Sequence, residues 1–298
     1  MGVIYVVAAV MLWSAVPLLI KQVAPPFDVR WVALLRLALG AGFLAVAERF
    51  IAARPRRRDR AHAPWSWPQR AWVLLGGAGL GANYLLYTAG VARTTATAAN
   101  LIVQVEVILL ALWGLLILKE SAPPAKLAGM ALAFGGVLLV AWNGESLAAL
   151  LHSRYFVGNM IIAAAGFGWS FYGVSQKMLL RTRGVGETVV PIMVIGAVTT
   201  VAVAAFASPV SRAPTPLEWA YLGVLGLVCT GVAYLLLARG LQLLDASSVA
   251  LISTLLPLFT MVEAHLLLGE RLTGFIVAGA ALIVSGVGLV VVRPGPRP

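Results

Sequence analysis

A single cysteine, Cys229, stands among 298 residues, so the chain can build neither an internal disulfide nor a cysteine-based metal site. Charge is scarce too. Asp, Glu, Lys and Arg together make up 11%, less than half of the roughly 25% usual in a soluble domain. The three histidines, His62, His152 and His265, are scattered. No Gly-rich loop ends in Lys-Ser/Thr, and no HExxH occurs. ATP hydrolysis and zinc catalysis therefore have no motif to rest on, and no cofactor is expected.

What is abundant is apolar. Hydrophobic residues reach 61% and the mean hydropathy is +0.94, and they fall in long blocks. A helix needs about 20 mostly apolar residues to cross a hydrocarbon core of about 30 Å. Ten stretches qualify, near 3–22, 31–51, 71–91, 95–118, 125–142, 155–178, 188–207, 216–240, 245–268 and 273–292. The blocks are continuous, unlike the period-two alternation of barrel strands. The expected fold is an all-α polytopic membrane protein of ten helices, with the lipid bilayer as its first partner. The first block lacks the basic start of a signal peptide and reads as a helix.

The net charge of +11 raises the question of nucleic acid, but orientation explains it better. With the N-terminus in the cytoplasm, most basic residues collect on the cytoplasmic side, among them "RPRRRDR" (54–60), Lys119, Lys126, Lys177, Arg181 and Arg183. That excess sets topology, so both termini are expected in the cytoplasm and no nucleic-acid partner is expected. Four lysines against eighteen arginines, with abundant alanine, suggest a GC-rich bacterial genome and hence a bacterial inner membrane. Trp31, Trp65, Trp67, Trp142 and Trp219 fall near span ends and read as interfacial belt.

The chain is written twice. "YLLYTAGVARTTATAANLI" (84–102) lies over "YLLLARGLQLLDASSVALI" (234–252) at an offset of 150, and "LAGMALAFGGVLLVA" (127–141) over "VAGAALIVSGVGLVV" (277–291). Upstream the offset is 156, where "LWSAVPLLIKQ" (12–22) lies over "GWSFYGVSQKM" (168–178). The halves are 1–142 and 155–292, followed by a short cytoplasmic tail, 293–298. Five helices per half is an odd number, so the second half is inverted. Inverted repeats mark alternating-access transporters, whose site lies near the midplane between the halves.

These segments resemble the EamA-type family of the drug/metabolite transporter superfamily. The motifs are "LWSAVPLLIKQ" and "GWSFYGVSQKM", "RWVALLRLALGA" in the second helix, and "LLILKESAPPAKLAGMALAFGGVLLV" and "LLPLFTMVEAHLLLGERLTGFIVAGAALIVSGVGLV" closing the halves. The resemblance implies ten helices, a central cavity, and movement of small organic solutes, often amino acids or other metabolites, usually outward. It also implies that Arg36 is the arginine typical of the second helix. One position departs from the pattern. Where the family commonly has a proline midway along the fourth helix, as Pro257 is in the ninth, this chain has Val107, which predicts an unkinked fourth helix.

Within "LIVQVEVILLALW" (101–113), Glu106 is an intramembrane carboxylate, which by default marks function. It could hold a substrate ammonium or carry a proton; an ion pair or hydrogen bond to a neighbouring helix is the structural alternative. Asn100 and Gln104, four apart, share a face, and Glu106 points about 200° around from Gln104. Either amide could line a cavity or bond neighbouring helices. Trp13 and Trp169 are equivalent by repeat, as are Tyr84 and Tyr234. Tyr87 shares a face with Tyr84, and Tyr172 with Trp169. They suit an aromatic-walled pocket or core packing. Arg36 reads as more structural than functional, and Glu263 and His265 as interfacial. Glu120 and Glu270, matched by repeat, are expected to bond the free amides of the next helix. The pairs Ala131/Gly135 and Ala281/Ser285 read as packing seams.

The expected function is transport of a small-molecule solute, as exporter or facilitator, with aromatic or other amphiphilic amino acids as the favoured class. The alternatives are a proton-coupled exporter of cationic drugs and a non-transporting scaffold or receptor. Nothing in the sequence sets an oligomeric state.

Overall fold

A computed structural model of the protein describes residues 1–52, 64–94, 96–121, 123–142, 155–268 and 273–292. Among the described residues every regular element is helical. In lipid no water is available to the backbone, and a helix satisfies its own amides. The helices are α1 (Gly2–Ser14), α2 (Val16–Val23), α3 (Val29–Ala52), α4 (Trp67–Val91), α5 (Ala96–Ile102), α6 (Gln104–Leu116) and α7 (Pro124–Trp142). They continue as α8 (Phe156–Leu180), α9 (Val185–Ala204), α10 (Pro216–Gly223), a π-helical stretch Val224–Val232, α11 (Ala233–Leu243), α12 (Ala246–Ser253), α13 (Leu256–Leu268) and α14 (Gly274–Val292). Seven helical stretches among the described residues are long and apolar enough to cross a membrane. Pro124–Leu139 and Val277–Leu289 are shorter apolar helices.

Several spans are broken near their middles. α1 gives way to α2 at Ala15, where Pro17 sits in the first turn of α2 and cannot donate to the preceding turn. α12 ends before Thr254, and α13 resumes at Leu256 with Pro257 as its second residue. The same break occurs between α5 and α6, against the unkinked helix expected from Val107. Val103 leaves the helix, and the Glu106 amide donates to the Val103 carbonyl at 2.9 Å, a tightened turn. Val107 supplies no cause of its own. The break is held by partners, since Asn100 Nδ2 donates to the Ser14 carbonyl (3.0 Å) and to Thr260 Oγ1 (2.6 Å), beside the breaks of the other two helices.

Close backbone approaches draw the bundle together. A Cβ on Gly79 in α4 would lie 2.6 Å from the Gly168 carbonyl in α8, and one on Gly168 would lie 2.4 Å from the Gly79 carbonyl. α7 and α14 meet in the same reciprocal way, Gly136 against the Gly279 carbonyl and Gly286 against that of Gly129. Small residues allow such approach where lipid gives no hydrophobic drive. The expected seam pairs were on the wrong faces. Ala131, Gly135, Ala281 and Ser285 are exposed, and the seam runs along Gly129, Ala133 and Gly136. A small-xxx-small spacing recurs on more than one face of an alanine-rich helix, so spacing alone could not choose.

At one end of the bundle, Lys21 Nζ donates to the Thr94 carbonyl (2.6 Å), Trp31 Nε1 to the Ser208 carbonyl (3.2 Å), and Arg30 clamps Asp28. The Arg30 guanidinium, helped by the Ser208 amide, holds the Asp28 carboxyl well below its usual range. At the other end Glu120 accepts from the Ala246 and Ser247 amides (2.7 and 3.0 Å) and from Ser247 Oγ. Lys126 lies 3.6 Å from Glu120 and 3.4 Å from Asp245. Glu120 thus caps a helix as expected, but the helix is α12, in the other half, rather than the next one, α7. Glu270 and the basic run 54–60 lie outside the described residues, as do residues 293–298 and the side chain of His265.

Candidate functional site

Where the broken spans meet, the helices enclose a cavity of about 50 Å³. Its walls are Trp13, Val16, Arg36, Asn83, Tyr84, Tyr87, Asn100, Val103, Glu106, Trp169, Tyr234 and Leu256. A water occupies about 30 Å³ in the liquid, and drug-sized ligands take roughly 300–1,000 Å³. The space between the walls is therefore narrower than such a ligand needs.

Trp13, Tyr84, Tyr87, Asn100, Glu106, Trp169 and Tyr234, singled out from the sequence, all reach the wall. Gln104 and Tyr172 do not. Counting 100° per residue put Asn100 and Gln104 on one face and Glu106 on another. The break at Val103 resets that count, turning Asn100 and Glu106 to the same cavity and leaving Gln104 aside, its Nε2 donating weakly to the Asn100 carbonyl (3.4 Å). Tyr172 stands behind the wall, fully buried, with its ring 5.3 Å from that of Tyr234 and 6.2 Å from that of Trp169.

The aromatic wall is held by geometry and by hydrogen bonds. Trp13 meets Trp169 edge to face at 6.0 Å and Tyr234 at 5.4 Å, the arrangement favoured by ring quadrupoles. The Trp13 indole donates to the Cys229 carbonyl (2.9 Å), inside the π-helical stretch, a deviation frequent at functional sites. Tyr84 donates to Thr230 Oγ1 (3.1 Å), and Thr230 to the Leu225 carbonyl (2.8 Å).

The polar wall includes two residues that the sequence reading did not place there. Asn83 Nδ2 donates to the Ala165 carbonyl (3.0 Å) and, at 3.4 Å, to Glu106 Oε2. Arg36 is 4% exposed and lays its guanidinium over the Tyr84 ring, 4.6 Å from the centroid. Its depth in "RWVALLRLALGA" was visible, but not the side toward which it turned. Tyr87 donates to Asn100 Oδ1 at 3.4 Å. Above the cavity, Ser14 Oγ donates to Glu263 Oε1 (2.5 Å), which ties Glu263 to the helix break instead of leaving it solvated at an interface.

The repeat makes this wall informative. At offset 150 the counterparts of Asn83, Tyr87, Asn100 and Glu106 are Ala233, Leu237, Ala250 and Leu256. At offset 156 the counterpart of Arg36 is Ile192. The first half thus carries the polar groups, and the matched positions of the second half are aliphatic. Only the aromatics, Trp13 with Trp169 and Tyr84 with Tyr234, are present in both. The cavity is amphiphilic in its construction.

A family model described as the EamA-like transporter family matches residues 1–142 and 156–292. An Archaeoglobus fulgidus protein described as an uncharacterized transporter is 33% identical over 198 residues, covering 65% of this chain and 66% of that protein. A Salmonella typhimurium protein described as a probable amino-acid metabolite efflux pump is 26% identical, covering 63% of this chain and 64% of that one. A solved crystal structure superposes with a TM-score of 0.77 at 20% identity, covering 98% of this chain and 96% of that one, a likeness of fold.

Proposed function

The chain belongs to the EamA-like transporter family and is a multi-pass membrane transporter, and from that premise we propose that it moves amphiphilic amino acids, or similar small solutes with an aromatic part, by alternating access. The observation that carries this reading is the cavity in which Arg36, Asn83, Asn100 and Glu106 stand beside the rings of Trp13, Tyr84, Trp169 and Tyr234. A solute with a charged head and a planar body fits that division. The Salmonella relative's description as an amino-acid metabolite efflux pump supports the same class. Glu106 meets a cationic group of the solute or a proton. The energy source is the solute's own gradient or an ion.

We read the fold as ten membrane-crossing helices in two inverted halves, 1–142 and 155–292, in a bacterial inner membrane with both termini cytoplasmic. The reciprocal glycine contacts of α7 with α14 support the pairing of equivalent helices. The Glu120–Lys126–Asp245 cluster joins the halves at the cytoplasmic end, and Lys21 with Thr94 belongs to the outer end.

Flux of a radiolabelled amino-acid mixture into proteoliposomes, with and without a pH gradient, tests the function. Movement without a gradient supports a facilitator. Movement only of cationic drugs, and only with a pH gradient, replaces it with a proton-coupled drug exporter. No movement of any solute leaves a scaffold or receptor.

A further inference from the structure

Arg36 is a charged group in the middle of a membrane protein, and no ion pair to it is present among the described residues. A guanidinium stays protonated at any accessible pH, so burial cannot neutralise it as it can a carboxylate or an amine. Its Nε and Nη1 have no hydrogen-bond partner among the described residues, although the side chain is almost fully buried. Glu106 lies on the wall of the same cavity but forms no direct ion pair with it among the described residues. The partner recorded for that carboxylate is Asn83, at 3.4 Å. One face of the guanidinium is covered by Tyr84, which is itself fixed through Thr230 to the π-helical stretch. The arginine is therefore positioned, and it lines the cavity with donors to spare.

A buried ion without a partner is destabilising, and breaking such a pair is far more costly than never burying it. A buried arginine without an ion pair among the described residues suits a partner arriving from outside the chain. The guanidinium fork favours carboxylate and phosphate oxygens. Glu106 and Asn83 share the cavity with it, and a phosphate would face Glu106 with like charge. An amino-acid zwitterion presents one group of each sign. We infer that Arg36 is the carboxylate dock of the cavity, and that the solute is a zwitterion held by its carboxylate at Arg36 with its ammonium toward Glu106. This rests on the solute-transport reading above and adds which end of the solute is recognised by which residue.

Three probes that differ only in charged groups test the assignment: L-phenylalanine, phenethylamine, which lacks the carboxylate, and 3-phenylpropionate, which lacks the amine. Binding is read on the purified full-length protein by calorimetry and by melting temperature, since ligands stabilise the state they bind. Wild type should bind L-phenylalanine about 10- to 100-fold more tightly than phenethylamine, the range expected for one charged hydrogen-bond contact. Arg36→Gln should remove that difference while leaving phenethylamine binding unchanged, and Arg36→Lys should restore part of it. Equal binding of amine and zwitterion by wild type overturns the proposal, even if Arg36→Gln fails to fold. So does an equal loss of all three probes in a folded Arg36→Gln protein, or the absence of any response in wild type. Amino-acid flux in proteoliposomes separates the two readings. Flux without discrimination between acid and amine sinks the dock alone, and no flux of any solute sinks transport itself.

Discussion

Trp13 and Trp169, which occupy matched positions of the two halves 156 residues apart, touch each other edge to face with centroids 6.0 Å apart. Tyr84 and Tyr234, matched at 150, also face each other at 6.2 Å. Residues that are each other's counterparts can meet only where the two halves face one another. That meeting point is the cavity.

The aromatic wall gives the first expectation. Trp13→Ala and Trp169→Ala should reduce solute affinity by about tenfold or more, since base-sized aromatic contacts are worth roughly 1–3 kcal/mol. Trp142→Ala, at an exposed ring that meets Phe275 far from the cavity lining, should leave transport unchanged. Tyr172→Ala should instead lower the melting temperature, at a cost of about 3 kcal/mol for an emptied buried ring. Equal behaviour of all four variants at matched expression would assign the aromatics to packing.

Glu106→Gln separates charge from shape, because the amide keeps hydrogen-bonding capacity and loses the carboxylate. The variant should insert and fold normally. If the carboxylate meets a solute ammonium, transport or solute preference is lost. If it carries protons, flux persists down a solute gradient while its dependence on a pH gradient disappears. Wild-type rates, selectivity and pH response in proteoliposomes would reduce Glu106 to a buried polar contact.

Glu120→Ala should destabilise the fold by more than the roughly 1 kcal/mol of an ordinary helix cap, because among the described carboxylates Lys126 then keeps the partly exposed Asp245 alone. Adding Lys126→Met should recover part of the loss by removing the stranded charge. Thermal melting of the purified single and double variants measures both. Additive losses would show that the two side chains are not coupled.

Gly168→Ala places a methyl group 2.4 Å from the Gly79 carbonyl, an approach relieved only by moving α4 and α8 apart. A loss of about 1–3 kcal/mol is expected. Gly42→Ala, with nothing within 4 Å, should be neutral or slightly stabilising, since alanine favours helix. Melting temperatures in one detergent decide it, and equal effects would contradict the packing described.

Orientation follows from the distribution of basic residues. In a protein with Cys229 replaced, a cysteine introduced at Ser146 should react with an impermeant reagent added outside intact cells, and one at Asp59 should not. Labelling at Asp59 alone would invert the topology, and equal labelling would mean dual insertion.

Hydropathy made a polytopic helical membrane protein legible, and the quoted motifs its family, because each depends on composition and order along the chain. Most of the wall was legible for the same reason. A carboxylate, an asparagine and paired aromatics inside apolar spans are costly enough to stand out one by one. What the sequence could not carry was direction. The break at Val103 has no proline to announce it, and it is what brings Asn100 and Glu106 to one cavity and sets Gln104 aside. The α7–α14 seam chose Gly129, Ala133 and Gly136 over an equally small neighbouring stripe, and Glu120 reached across to α12 rather than to its neighbour α7. Arg36 turned inward over Tyr84. Each depends on which helix stands beside which, and that relation arises from packing between residues far apart in the chain, so only the tertiary structure decides it.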